Sequence, residues 1–191
     1  MKSEMKRLFL ISIFLILLLS KLHAQSNICD RLTALIDNTE DVCLRFPSHN
    51  HCNVFVGMAI KDIYGFDDFL NKKGPSGYFI ANEIVDLLFT ELSEKWESLG
   101  TCDNQNVLDK AQLIANSNHA VVAVWKNPDK KKPGHVALVL PGLQQSGWSG
   151  MMVPNAANFA QAKDPTNFIC SRLSGAFSLD KKSAIYIFAR K

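Results

Sequence analysis

A thiol nucleophile can be assembled from a cysteine that opens a buried helix, a histidine that opens an apolar strand and an asparagine on the strand beyond. Cys52 heads the run CNVFVGMAI, His135 begins HVALVL directly after Gly134, and Asn155 and Asn158 lie in MMVPNAANFA. A nucleophilic cysteine needs a depressed pKa, a base within reach and a group that orients the base. The first turn of a helix supplies the first requirement, because its free N–H groups and dipole favour a thiolate. The same N–H groups can hold the oxyanion formed when the thiolate attacks a carbonyl. A polar ring at the head of a strand that otherwise wants burial makes His135 the expected base. Either Asn155 or Asn158 could accept from that ring and fix its tautomer. Asn50, two residues before the cysteine, is placed to help polarise the oxyanion, and His51 to contact substrate from the preceding loop. Trp148, flanked by glycines in GLQQSGWSG, is the tryptophan best suited to line a groove, where it would suit stacking on a sugar.

The same cysteine invites two other uses. His49, His51 and Cys52 carry metal-ligating atoms, with His119 and His135 available to complete a site. Adjacent residues at a helix start point apart, however, and no C-x-x-C or H-E-x-x-H spacing is present. The expectation is therefore no metal, and attack of a thiolate on a carbonyl requires no organic cofactor. The disulfide alternative turns on counting: beyond residue 24 the cysteines are Cys29, Cys43, Cys52, Cys102 and Cys170, an odd number. Four cysteines allow three connectivities, which sequence alone does not decide. The simplest arrangement, Cys29–Cys43 with Cys102–Cys170, leaves Cys52 free.

The elements that must position these residues follow from periodicity. Helices are expected over Ser26 to Asp37, Cys52 to Tyr64, Ala81 to Leu92 and Asn104 to Ala115. The second is apolar nearly all round and so should be buried. The period then changes. HAVVAVW (119–125) and HVALVLPG (135–142) read as an antiparallel pair joined by the polar loop KNPDKKKPG, MMVPN (151–155) as a third strand and SAIYIFAR (183–190) as the last. Helices first and strands after argue for an α+β domain, with the helices packed on an antiparallel sheet.

The chain opens with a basic n-region (Lys2, Lys6, Arg7), an apolar core from Leu8 to Leu19, and Leu22-His23-Ala24 as a cleavage site. Residues 1–24 therefore read as a signal peptide and 25–191 as a single domain, secreted or periplasmic, with no stable membrane insertion after cleavage. Four of the 21 basic and one of the 18 acidic residues lie in 1–24, leaving 17 of each beyond it. That balance points to neither nucleic acid nor an anionic membrane.

Cys52-Asn53-Val54-Phe55-Val56, followed some 80 residues later by Gly134-His135-Val136-Ala137-Leu138-Val139, resembles the papain-like cysteine amidases and endopeptidases of the NlpC and CHAP type. The approach through AQLIANS and HAVVAVW is similar too, so the resemblance covers roughly residues 45–160. It implies a papain-like fold in which Cys52 attacks and His135 shuttles the proton. The substrate implied is an amide in peptidoglycan stem peptides. Asn116-Ser117-Asn118-His119 stands where the family has a Gly-Asp or similar pair, and the third residue stays open between Asn155 and Asn158. The alternatives are a peptidase acting on proteins, or a catalytically silent domain that binds cell wall or a partner.

Overall fold

The structure, a computed structural model, describes residues 11–12, 27–41 and 51–191. Apart from 11–12, the expected signal segment lies outside the described residues, as do Cys43, His49 and Asn50. Among the described residues no helix is long and apolar enough to cross a membrane.

The chain runs α1 (27–41), α2 (Cys52–Tyr64), α3 (Ala81–Phe89), β1 (Trp96–Thr101), α4 (Gln105–Asn116), β2 (Val121–Trp125) and β3 (His135–Val139). A short ribbon of β4 (Gln145–Ser146) and β5 (Met152–Val153) precedes β6 (Asn155–Asn158), β7 (Phe168–Arg172) and β8 (Ile185–Arg190). Six strands form one antiparallel sheet in the order β1-β8-β2-β3-β6-β7. The α+β class is as expected, and so is the antiparallel pairing of β2 with β3, in register from Val121↔Val139 to Trp125↔His135.

Three strand assignments needed the structure. MMVPN is split: Met152 and Val153 pair with the β4 ribbon, and Asn155 starts a strand of the main sheet. β1 and β7 occupy the two edges of the sheet, each interrupted by a register shift in its pairing. Their residues are mostly half-exposed, so neither carries a clear apolar alternation.

The near-continuous apolar runs of β2 and β3 are explained by burial on both faces. Val122, Val124, Val136 and Leu138 pack with α2 and α3, including Phe55, Ala59, Ile84 and Leu88. Val121, Ala123, Ala137 and Val139 pack on the opposite side against Leu108 and Ala111 of α4, with Phe177 and Leu173 from the segment before β8. The sheet is thus the middle layer, and α4 crosses to the face away from the other helices.

Helix α2 forms because its apolar residues find this double enclosure: Cys52 to Gly57, Ala59 and Ile60 are all buried. It stops at Gly65, whose left-handed φ of 76° turns the backbone so that its N–H caps the Lys61 carbonyl. The α2–α3 loop is pinned by Asp68, whose carboxylate accepts from the Trp96 indole at 3.0 Å and from Arg190 Nε at 2.7 Å. One disulfide, Cys29–Cys170, joins α1 to β7. This corrects the simplest expected pairing: Cys102 is buried and unbridged, and Cys170 bonds to Cys29 across 141 residues. The reason is topological, since β7 is an edge strand whose Cys170 packs against the α1–α2 side of the core.

Candidate active site

Cys52 is the first residue of α2 and has no solvent exposure. Burial pushes its thiol up from an ordinary value of 9.0 to about 11. The backbone N–H groups of Val136, Asn53 and Cys52 itself act the other way, favouring the thiolate, but do not overcome the desolvation. At neutral pH the group is a thiol that already has N–H donors in place. The Val136 contact puts it against the β3 backbone, one residue beyond His135.

His135 opens β3 opposite Trp125 and is half-buried. Alternation along the strand sends Val136 and Leu138 toward α2, while Ala137 and Val139 face α4. His135 shares the second face: its ring meets Phe177 edge-on, with centroids 5.1 Å apart. Cys52 and His135 therefore approach neighbouring residues of one strand from opposite sides, and neither is among the groups that shift the other's pKa. Burial lowers the pKa of His135 below 6.5; Asn158 raises it, Lys181 lowers it and Asp164 raises it. The net direction is down, which makes the ring a neutral imidazole at pH 7.

Asn158 is the asparagine that the structure brings to His135, with Oδ1 at 2.6 Å from Nε2. Its Nδ2 donates to the Thr166 carbonyl at 2.9 Å, so its amide orientation is fixed from behind. Oδ1 has no hydrogen to give, so Nε2 must carry the proton and donate it, leaving the Nδ1 lone pair as the basic site. Asn155 sits at the other end of β6, and its Nδ2 donates to the Pro141 carbonyl at 2.7 Å. Its own N–H is held by Gln112 Oε1 at 2.7 Å, and Gln112 also donates to the Leu140 carbonyl. Asn155 is therefore a clamp between α4, β3 and β6 rather than a partner of the imidazole.

Two further expectations are corrected. Trp148 does not line a groove: it is 6% exposed, and its indole N–H donates to the Phe177 carbonyl at 3.1 Å. A turn closed by the Gly147 N–H on the Met151 carbonyl folds the indole inward, against the α4 side of the core. Through that hydrogen bond Trp148 anchors the residue that packs on His135. His51 is 2% exposed and caps α2, its carbonyl accepting from the Phe55 N–H, so it does not present a loop surface to substrate. Asn50 and His49 lie outside the described residues. His119 is exposed and precedes β2. Among the described residues no three His, Cys, Asp or Glu side chains gather as a metal ion would require.

His135 and Asn158 open into a cavity of about 320 Å³ between Trp125, Phe177 and Lys181. The Lys181 ammonium lies 4.0 Å above the Trp125 ring. Phe177 and Lys181 come from GAFSLDKK, a stretch with no periodic or motif signal, so sequence reasoning could not find them. Compared with known proteins, the chain matches no protein-family model, and no curated protein is a significant match to it.

Proposed function

We propose that the chain is an exported cysteine hydrolase of amide bonds, acting on peptidoglycan stem peptides through Cys52, His135 and Asn158. The observation that carries this reading is the His135–Asn158 pair: a neutral imidazole whose protonated nitrogen is held by a fixed amide, leaving the other nitrogen free as a base. That is the role an orienting residue plays in a thiol hydrolase. The order Cys, His, Asn and the N–H donors around the Cys52 sulfur support it.

In the proposed course, His135 Nδ1 takes the Cys52 proton and the sulfur attacks the amide carbon. The resulting oxyanion collapses and the C–N bond breaks, with the leaving amine taking the proton from the imidazolium. The thioester left behind is cleaved by water, whose proton goes to His135 and then returns to the Cys52 sulfur. Asn158 touches no reacting atom and is a positioning residue. Because the resting thiol is buried, protonated and on the other side of β3 from the imidazole, the proposed course requires substrate binding to bring His135 Nδ1 and the Cys52 sulfur together before the first proton moves.

Incubating the chain from residue 25 and its Cys52→Ala, His135→Ala and Asn158→Ala variants with purified peptidoglycan tests this. New amino termini should appear with the wild type, none with the first two variants, and at a much reduced rate with the third. Cleavage of casein but not cell wall would move the substrate to proteins.

A second reading draws on a specific observation, the complete burial of Cys52 with a thiol near 11 and no action between it and His135. In that reading Cys52 is a core residue, and the cavity beside His135 binds a ligand without turning it over. Absence of product from every substrate, with retained affinity for cell wall, would decide for it.

A further inference from the structure

We propose that Lys181 is the recognition cation for a carboxylate on the ligand that enters the His135 cavity, so that the chain selects peptides bearing a free carboxylate beside the amide. Only the position of the amide rests on the hydrolase reading; the carboxylate site stands without it.

The argument begins with the cavity's chemistry. Its walls are two aromatic side chains, Trp125 and Phe177, its floor is His135 with Asn158, and Lys181 is its one formal cation. A volume of about 320 Å³ sits at the small end of the range for ligand sites, the size of a short peptide rather than a cofactor. Five other lysines, Lys61, Lys95, Lys110, Lys126 and Lys132, each lie within ion-pair distance of a carboxylate. Among the described residues no carboxylate stands that close to Lys181. Its ammonium instead lies over the Trp125 ring, which orients it while neutralising none of its charge.

The nearby acids are engaged elsewhere. Asp164, whose charge reaches His135, accepts from the Thr166 N–H at 2.8 Å and hydroxyl at 2.6 Å. Asp180, next to Lys181 in the chain, is fully exposed to solvent and holds the Ser178 hydroxyl; it feels the Lys181 charge through solvent but forms no ion pair with it. Asn158 has both amide atoms occupied. An incoming ligand thus meets one positive charge held in no ion pair and a neutral imidazole, beside the Trp125 and Phe177 rings. A single cation suits a singly charged, planar carboxylate better than a phosphate, which draws several charged donors. Aromatic walls suit the peptide plane attached to it.

The test uses N-acetyl-alanyl-alanine with a free C-terminal carboxylate and the same dipeptide as its carboxamide. Each is titrated into the folded chain while the imidazole resonances of His135 are followed by NMR. The acid should shift them in a saturable manner, with at least tenfold tighter binding than the carboxamide. Lys181→Met should abolish that preference, bringing acid and carboxamide to equal affinity, while Lys181→Arg should retain it. Added salt should weaken the acid's binding and not the carboxamide's. Equal affinity for acid and carboxamide, no saturable shift with either, or an undiminished preference in Lys181→Met would overturn the proposal. Binding is read without turnover, so a chain inert toward peptidoglycan leaves the carboxylate site standing. A chain that cleaves peptidoglycan while treating the two dipeptides alike sinks only the role of Lys181.

Discussion

A Cβ on residue 134 would stand 2.4 Å from Oδ1 of Asn82, so the glycine before His135 is what lets this asparagine of α3 close on the β2–β3 loop. Asn82 Oδ1 accepts from the Asn127 N–H at 2.9 Å and its Nδ2 donates to the Lys132 carbonyl at 3.0 Å, holding both arms of that loop. The Trp125 carbonyl crowds the same position at 2.5 Å, and a backbone atom there cannot swing aside. Gly134→Ala should therefore cost about 1–3 kcal/mol, the usual range for overpacking. Asn82→Ala, which removes the partner of the half-buried Asn127 N–H and of the Lys132 carbonyl, should cost about 0.5–1.5 kcal/mol. Urea denaturation reads both, and an unchanged midpoint for Gly134→Ala would show that the loop is not held as described. Because the loop leads straight into His135, both variants should also displace the His135 ring resonances.

Asn155 and Asn158 are of one residue type three positions apart on or beside β6, and they should answer differently to alanine. Asn158 favours the protonated imidazole, so Asn158→Ala should move the His135 pKa still further down. Asn155→Ala should leave that titration in place and cost about 1–2 kcal/mol of stability, because the Pro141 carbonyl loses its donor. An NMR pH titration of His135 in the two variants separates the roles. The same sign governs acid stability. With the folded pKa below 6.5, the unfolded chain takes this proton first, so the contribution of His135 is present above that value and is lost as pH falls.

The layers of the fold were legible where apolar period and length agreed. CNVFVGMAIKDIY reads as a buried helix and HAVVAVW with HVALVL as an antiparallel pair, while the cover on both faces of that pair emerged only from the structure. The edge strands β1 and β7 were not legible, because a strand exposed on one flank needs no continuous apolar run, and both carry irregular pairing. His135 could be singled out as a polar ring at the head of an apolar strand. The asparagine that orients it could not be chosen, because that depends on which residue of β6 shares its face. The alternation placing His135 with Phe177, and Cys52 with Val136, follows from the face on which each helix docks. Trp148 misled for a related reason: glycine neighbours suggested an exposed loop, but the turn they permit folds the indole inward.

Alkaline pH offers a direct probe of Cys52. Its folded pKa of about 11 lies above the ordinary 9.0, so the folded chain keeps a proton that the unfolded chain has released. Stability from this group is complete below about pH 9 and declines as pH rises toward 11, with a limiting slope of about 1.4 kcal/mol per pH unit. Burial and Asp103 push Cys102 in the same direction, so the wild type should show the combined decline. Cys52→Ala should remove its share of the slope in urea denaturation between pH 8 and 10.5. In the folded wild type at pH 8, iodoacetamide should leave Cys52 unmodified. Rapid labelling there would mean that the thiol is exposed and ionised, against the burial described above.

The Cys29–Cys170 bridge closes the longest covalent loop in the described chain and fastens α1 to the edge strand that pairs with β6. Cross-linking residues far apart in sequence restricts the unfolded chain, an effect typically of about 2–4 kcal/mol. Cys29→Ser should lower the urea midpoint accordingly, and Cys170→Ser should do so by a similar amount, because either change opens the same loop. The double variant should be no worse than the single ones, since only one bond is lost. β7 supplies the neighbour that holds Asn158 in register opposite Phe168, so releasing α1 from it should also broaden the His135 ring resonances. Non-reducing proteolysis should recover a Cys29 peptide joined to a Cys170 peptide. A Cys29 peptide joined to Cys102 or Cys43 would assign the bridge differently and remove the link between α1 and the His135 side of the sheet.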